Sequence, residues 1–270
     1  SSTSRGLGDV YKRQIMEILK LNQIPLLKEN EMIIPLFTLE SLLLPGDEMV
    51  MRVFEPRYKQ MLDDITLDNL AYGHVMSNPA MPDINGWLVP YDVGTLVQVN
   101  DLEEQGTNLL YGAKGGERFR ILSLIEPALK PEPFDAIFPS VNELMEQYIE
   151  QAPSDKLYVR AVIEIIPELK GTIEPVKWES LLALWRTYIE NIAEINEMDV
   201  DEFDIDNEIK NMFPNADNDT IWKLASLIID SIEDQIQALK TIDINELSSI
   251  IESSIQKKLN MIRLFRQSNE

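Results

Sequence analysis

From Met32 to about Lys170 the chain is punctuated every few residues by Gly, Pro or Asn. Between those breaks, apolar residues come in short runs or alternate with polar ones. That pattern predicts strands at Ile33–Leu39, Met49–Phe54, Ala71–Met76, Val93–Val99, Asn108–Tyr111, Arg118–Leu124 and Leu157–Ile166, with turns such as Asn85-Gly86 and Gln105-Gly106 between them. Gly115-Gly116 reads as a further hairpin turn. One helix interrupts the strands: Pro56 suits a first helical turn, and Tyr58, Met61, Leu62 and Ile65 share a face. Many short strands around one core predict a β-rich barrel.

After Pro175 the period becomes helical. Trp178, Leu181, Leu182, Trp185, Tyr188, Ile189, Ile192 and Ile195 form one apolar stripe. Ile221, Leu224, Ala225, Ile228, Ile232, Ile236 and Leu239 form a second, and Leu247, Ile251, Ile255, Leu259, Ile262 and Phe265 a third. Helix starts are expected at Asp219 or Thr220 and at Asp243 or Asn245, and Pro214-Asn215 ends whatever precedes it. A bundle of three or more helices follows the strands, so the class is α+β.

With 270 residues, 44% of them hydrophobic, the chain can bury a real core. The absence of cysteine excludes disulfides and thiolate chemistry and fits a reducing, cytoplasmic setting. No apolar run is long enough for a membrane span. The net charge of −22 lies on both halves: −12 over residues 32–170 and −11 over 171–270, against +1 over 1–31. Nucleic acid and anionic membranes are therefore expected not to be partners. Ser1–Gln14 is small, polar and basic, and the string Arg5 to Gln14 resembles translated sequencing-adapter read-through. It is set aside as non-native, with Met16 the expected start and no signal peptide.

The most informative stretch is Pro45-Gly46-Asp47-Glu48-Met49-Val50-Met51-Arg52-Val53-Phe54-Glu55-Pro56-Arg57-Tyr58-Lys59-Gln60-Met61, which reads as turn, strand and helix start. Taken with Ile34-Pro35-Leu36-Phe37 before it, and with Gly94-Thr95 and Gly115-Gly116-Glu117-Arg118-Phe119-Arg120-Ile121 after it, it resembles the LON substrate-binding domain, the N-terminal module of Lon protease that also occurs alone. The resemblance implies a PUA-like pseudo-barrel followed by a C-terminal helical subdomain. It divides the chain into an extension at 1–31, a barrel at 32–170 and a helical part at 171–270. It also makes Leu157–Glu164 a family strand displaced by an insertion near 131–155, with a helical piece at Val141–Gln151.

Catalytic chemistry finds no support in the sequence. A Walker A string is missing, since Gly112-Ala113-Lys114-Gly115-Gly116-Glu117 has Glu where a phosphate-binding Lys belongs, and no segment resembles the protease motif around a dyad serine. The chain is therefore expected not to be an enzyme, and neither a cofactor nor a metal site is expected. His74, the only histidine, cannot complete a zinc set and is read as structural or exposed. The nine carboxylates between Glu190 and Glu208 miss EF-hand spacing: counted from Asp204, the sixth position is Ile209 and the twelfth Asn215. They are read as a solvated linker, or as a contact for a basic partner.

Two roles fit Phe54, Glu55, Pro56, Arg57, Tyr58, Arg118 and Phe119. In the architectural one, Glu55 pairs with Arg57 or Arg118 while Phe54, Tyr58 and Phe119 fill the core. In the other, which the resemblance implies, the exposed members border a groove for unfolded or apolar polypeptide, delivered to a separate ATP-dependent protease. An adaptor for one folded partner, a small-ligand enzyme and an RNA binder of PUA shape are the remaining alternatives, the last weakened by the charge.

Overall fold

The computed structural model describes residues 16–20, 23–81, 88–127, 156–198 and 202–269. In chain order the elements are β1 (Glu17–Leu19), β2 (Glu31–Leu39), β3 (Glu48–Val53), α1 (Pro56–Asp68), β4 (Tyr72–Ser77), β5 (Pro90–Gln105), β6 (Asn108–Ile125) and β7 (Arg160–Ile165). Five helices follow: α2 (Pro175–Ile195), α3 (Glu202–Met212), α4 (Asn218–Ile228), α5 (Ile232–Lys240) and α6 (Ile244–Asn269). All seven predicted strand segments fall on strands.

The strands close on themselves. β6 pairs β5, β5 pairs β4, β4 runs parallel to β2, β2 pairs β7, and β7 returns to β6. β1 and β3 are added outside that ring, each hydrogen-bonded to β6. β1 was not anticipated, because three residues carry too little periodicity to read. The interior holds Ile34, Leu36, Val75, Phe119, Ile121, Leu124, Ala161 and Ile163. Helix α1 lies against a second cluster built from Phe37, Met51, Val53, Tyr58, Met61, Leu62, Ile65, Tyr72, Val97 and Tyr111. The third and largest cluster joins α2 to α6 with Leu42, Leu44, Met76, Val93 and Ile166 of the barrel, so the helices pack directly on its wall.

Four expectations are corrected. Gly115-Gly116 is not a turn: it lies inside β6, which runs unbroken through both predicted strands, and the turn is at Gly106, where φ is +63°. A Cβ on Gly115 would come within 2.2 Å of the Leu44 carbonyl oxygen, so glycine serves close backbone approach rather than chain reversal. The stripe from Ile221 to Leu239 belongs to two helices. α4 ends at the extended Ile229, and α5 restarts at Ser231, whose hydroxyl accepts from Asp234 N at 3.1 Å. The N-cap of α4 is Asp217, not Asp219 or Thr220; its carboxylate accepts from Thr220 N at 2.9 Å, which holds its pKa below the ordinary value. Finally, the acidic run is not a plain linker, because Ile205 and Ile209 are buried on α3, and Arg186 of α2 pairs with Glu190 and Asp206. The segment 1–14, the turn Asn85-Gly86 and the insertion at 131–155 with its helix at 141–151 lie outside the described residues.

His74, in the middle of β4, is fully buried. Its Nε2 donates to the Ser41 carbonyl at 3.0 Å, and Nδ1 meets no partner among the described residues. Burial therefore holds its pKa below the ordinary 6.5, only partly offset by the Ser41 bond. The unfolded chain binds the proton first, so this contribution to stability is complete above pH 6.5 and falls away as the pH drops from there towards the folded value. Since no other histidine is present, the urea midpoint at pH 5.5 should lie below that at pH 7.5. His74→Gln should lower the midpoint at pH 7.5 but remove most of the difference. Equal acid losses in both proteins would show that His74 is not its source.

Candidate functional site

The stretch from β3 into α1 carries the exposed apolar surface nearest the predicted motif. Along β3, Met51 and Val53 point into the core, so Val50 and Arg52 point outward, and Phe54 continues that parity just past the strand. Val50 is 81% exposed and Phe54 58% exposed, which places two large apolar side chains four residues apart on the outer face. The core expectation for Phe54 is thus not met.

Pro56 opens α1 with its φ preset, and Glu55 stands at the N-cap without a side-chain cap bond. The Glu55 carboxylate instead accepts from Arg57 Nε at 2.7 Å, and the Arg57 guanidinium lies 4.8 Å from the centre of the Tyr58 ring. Tyr58 is buried with its ring centre 4.1 Å from that of Phe37, and burial raises its phenol pKa. Behind it, Tyr111 Oη donates to Tyr72 Oη at 2.9 Å, and burial pushes both phenols well above the ordinary tyrosine range. Lys59 reaches the carbonyl of Thr107 in the β5–β6 turn, tying α1 to that hairpin.

Arg118 and Phe119 are not part of this surface. Phe119 is fully enclosed in the barrel interior. Arg118 points from β6 to the helices, where Nη1 donates to the carbonyls of Leu239, at 3.2 Å, and Thr241, and Nη2 donates to that of Pro167 at 2.6 Å. Its guanidinium carbon is 5.1 Å from the Trp222 ring centre. Burial lowers its pKa to about 10, so it stays charged at neutral pH. Of the two partners expected for Glu55, Arg57 is therefore the one taken.

The register leaves the far side of β3 open. Gly115 N donates to Asp47 O at 2.9 Å while Gly115 O accepts from Gly46 N at 2.7 Å, which sets the phase of the ladder. The bonded pairs are then Met49–Ala113, Met51–Tyr111 and Val53–Leu109. The N–H and C=O of Val50 and Arg52 consequently face away from β6, and among the described residues β6 is the only strand that pairs with β3. Sequence reasoning named Phe54 but passed over Val50. The signal was its parity, since an apolar residue between Glu48 and Arg52 occupies a position that solvent-facing strands give to polar residues. Opposite Val50 on β6 stands Gly112, where an added Cβ would meet nothing within 4 Å. Among the described residues no group of three or more His, Cys, Asp or Glu side chains could hold a metal ion, and no helix is long and apolar enough to cross a membrane.

A closed barrel with an added edge strand, capped by packed helices and presenting exposed apolar side chains beside that edge, has the form of a binding module. The chain belongs to the LON family: the sequence model of the ATP-dependent protease La (LON) substrate-binding domain matches residues 33–257, most of its length. Among solved structures it is similar to a Lon N-terminal domain protein from Xanthomonas campestris, with 19% identity and a TM-score of 0.51 over 82% of this chain and 98% of that one. It is similar also to the N-terminal domain of the Mycobacterium avium complex Lon protease, with 12% identity and a TM-score of 0.50 over 83% of this chain and 98% of that one. At such identities these two likenesses speak for the fold. No curated protein matches the sequence.

Proposed function

We propose that this protein binds unfolded or apolar polypeptide without transforming it, and passes it to a separate ATP-dependent protease in the cytoplasm. Exposed Val50 and Phe54, beside a strand edge that no other described strand pairs, within a domain of a substrate-binding family, carry the reading. Apolar side chains held out on a rigid strand lose little further freedom on binding and gain roughly 25 cal/mol for each Å² of apolar surface they bury. The ion pair of Glu55 with Arg57 and the packing of Tyr58 hold this edge in place rather than contacting the client.

The test is fluorescence anisotropy with a labelled, reduced and carboxymethylated protein as the permanently unfolded probe, and its native form as control, across a salt series. Saturable binding to the unfolded probe alone is expected, with Kd changing less than about threefold between low and high salt, because buried apolar contacts are not screened. Phe54→Asp should weaken it about tenfold at unchanged thermal stability. Failure of the parent protein to bind either probe would sink this reading, and a salt-sensitive complex with a single basic folded protein would replace it with an adaptor role.

A further inference from the structure

From the register of β3 we infer that the client is captured as an added strand on the open edge of β3, by main-chain pairing to Val50 and Arg52. The inference rests on the polypeptide-binding reading and specifies how it is achieved. Glu48 N–H is already satisfied by Asp47 Oδ1 at 2.9 Å, so the free groups of the strand are concentrated at its middle. Each of Val50 and Arg52 presents one N–H and one C=O outward, spaced as the bonded positions of an extended chain require. The complement of such a row is another extended backbone, which every unfolded polypeptide can offer and a folded one hides.

The side chains around the edge fit a client chosen by apolar pattern rather than by charge. Val50 and Phe54 lie about 13 Å apart along an extended strand, so alternate client residues on one face would meet them. Glu48 is neutralised across the strand pair by Lys114 at 2.9 Å.

Two measurements on the full chain test this with the same carboxymethylated probe. Hydrogen exchange resolved by residue should show the Val50 and Arg52 amides slowed at least tenfold on saturation. Val50→Pro removes one outward N–H without removing a bond to β6, as proline is tolerated on the solvent side of an edge strand. It should weaken binding about tenfold or more, with thermal stability within a few degrees of the parent, while Val50→Ala, which keeps the N–H and loses only side-chain contact, should weaken binding clearly less than Val50→Pro does. A probe that binds the parent without protecting either amide overturns strand addition and leaves the polypeptide-binding reading standing, even should Val50→Pro fail to fold. Equal affinities for Val50→Pro and parent overturn it likewise. Protection that appears in concentrated protein without probe, together with a dimer in sedimentation, would also overturn it, in favour of a second copy as the occupant. No binding by the parent would instead remove the reading on which the inference rests.

Discussion

Replacing Phe119 with alanine is expected to destabilise the fold by about 4 kcal/mol, within the range for deleting a fully buried phenylalanine. The ring sits at zero exposure inside the barrel, packed with Ile34, Leu36, Val75, Ile121 and Ile163. Partial collapse normally relieves such a cavity. Here the closed ring of β2, β4, β5, β6 and β7 resists it, because moving one strand inward breaks a ladder on each side. The wall nearest the ring is glycine: a Cβ on Gly73 would lie 2.6 Å from Phe119 Cζ. Gly73→Ala alone should therefore cost about 1–3 kcal/mol by overpacking. Combined with Phe119→Ala it should cost less, since the 2.6 Å contact is removed, although Ile34 Cδ1 and Leu36 Cδ2, each 2.8 Å from the new methyl, must still give way. Urea unfolding of both singles and the double variant measures that coupling. Strict additivity would mean that the two residues do not share the space the structure gives them.

How much of this was visible beforehand follows from what each signal depends on. Strand positions and the inward face of α1 depend on local periodicity, and Met49 to Phe54 and Tyr58 to Ile65 displayed it plainly. Long-range approach has no local signature. Gly115 looks like a turn residue until the Leu44 carbonyl is seen against it, and nothing in the sequence places Leu44 there. The break between α4 and α5 was hidden because Ile228, Ile229 and Ile232 keep the apolar period running through it. The cap at Ser231 is the only cue, and it competes with that stripe. In the acidic run, charge count outweighed the pair Ile205 and Ile209, whose spacing of four was the better guide. At the site, the outward parity of Val50 and Phe54 could be read from the sequence. The open edge of β3 could not, since it depends on which strands pair.

Arg118 shows the same limit from the energetic side. It is buried with no carboxylate beside it in its hydrogen bonds, yet the three carbonyls it reaches belong to segments up to 123 residues away. The carbonyls of Leu239 and Thr241 are at the C-terminal end of α5, where orphan acceptors and the negative end of the helix dipole favour a cation. Its charge is thus balanced by dipoles, and the same side chain joins β6 to the helical layer alongside the Lys240–Asp92 ion pair. Arg118→Met preserves much of the apolar volume but leaves those carbonyls without their donor, at about 1–3 kcal/mol for each one that water cannot reach. Relief from burying the guanidinium offsets part of that loss. The net expectation is a destabilisation of about 3 kcal/mol. Arg118→Lys, which keeps a charge but reaches fewer acceptors from a single nitrogen, should lie about midway. Because the contact joins two layers, the loss should be seen first in the helices: hydrogen exchange in α5 and α4 should speed up more than in β2, β4 and β7. Uniform acceleration throughout would show instead that barrel and helices unfold as one unit and that Arg118 stabilises the whole rather than the seam.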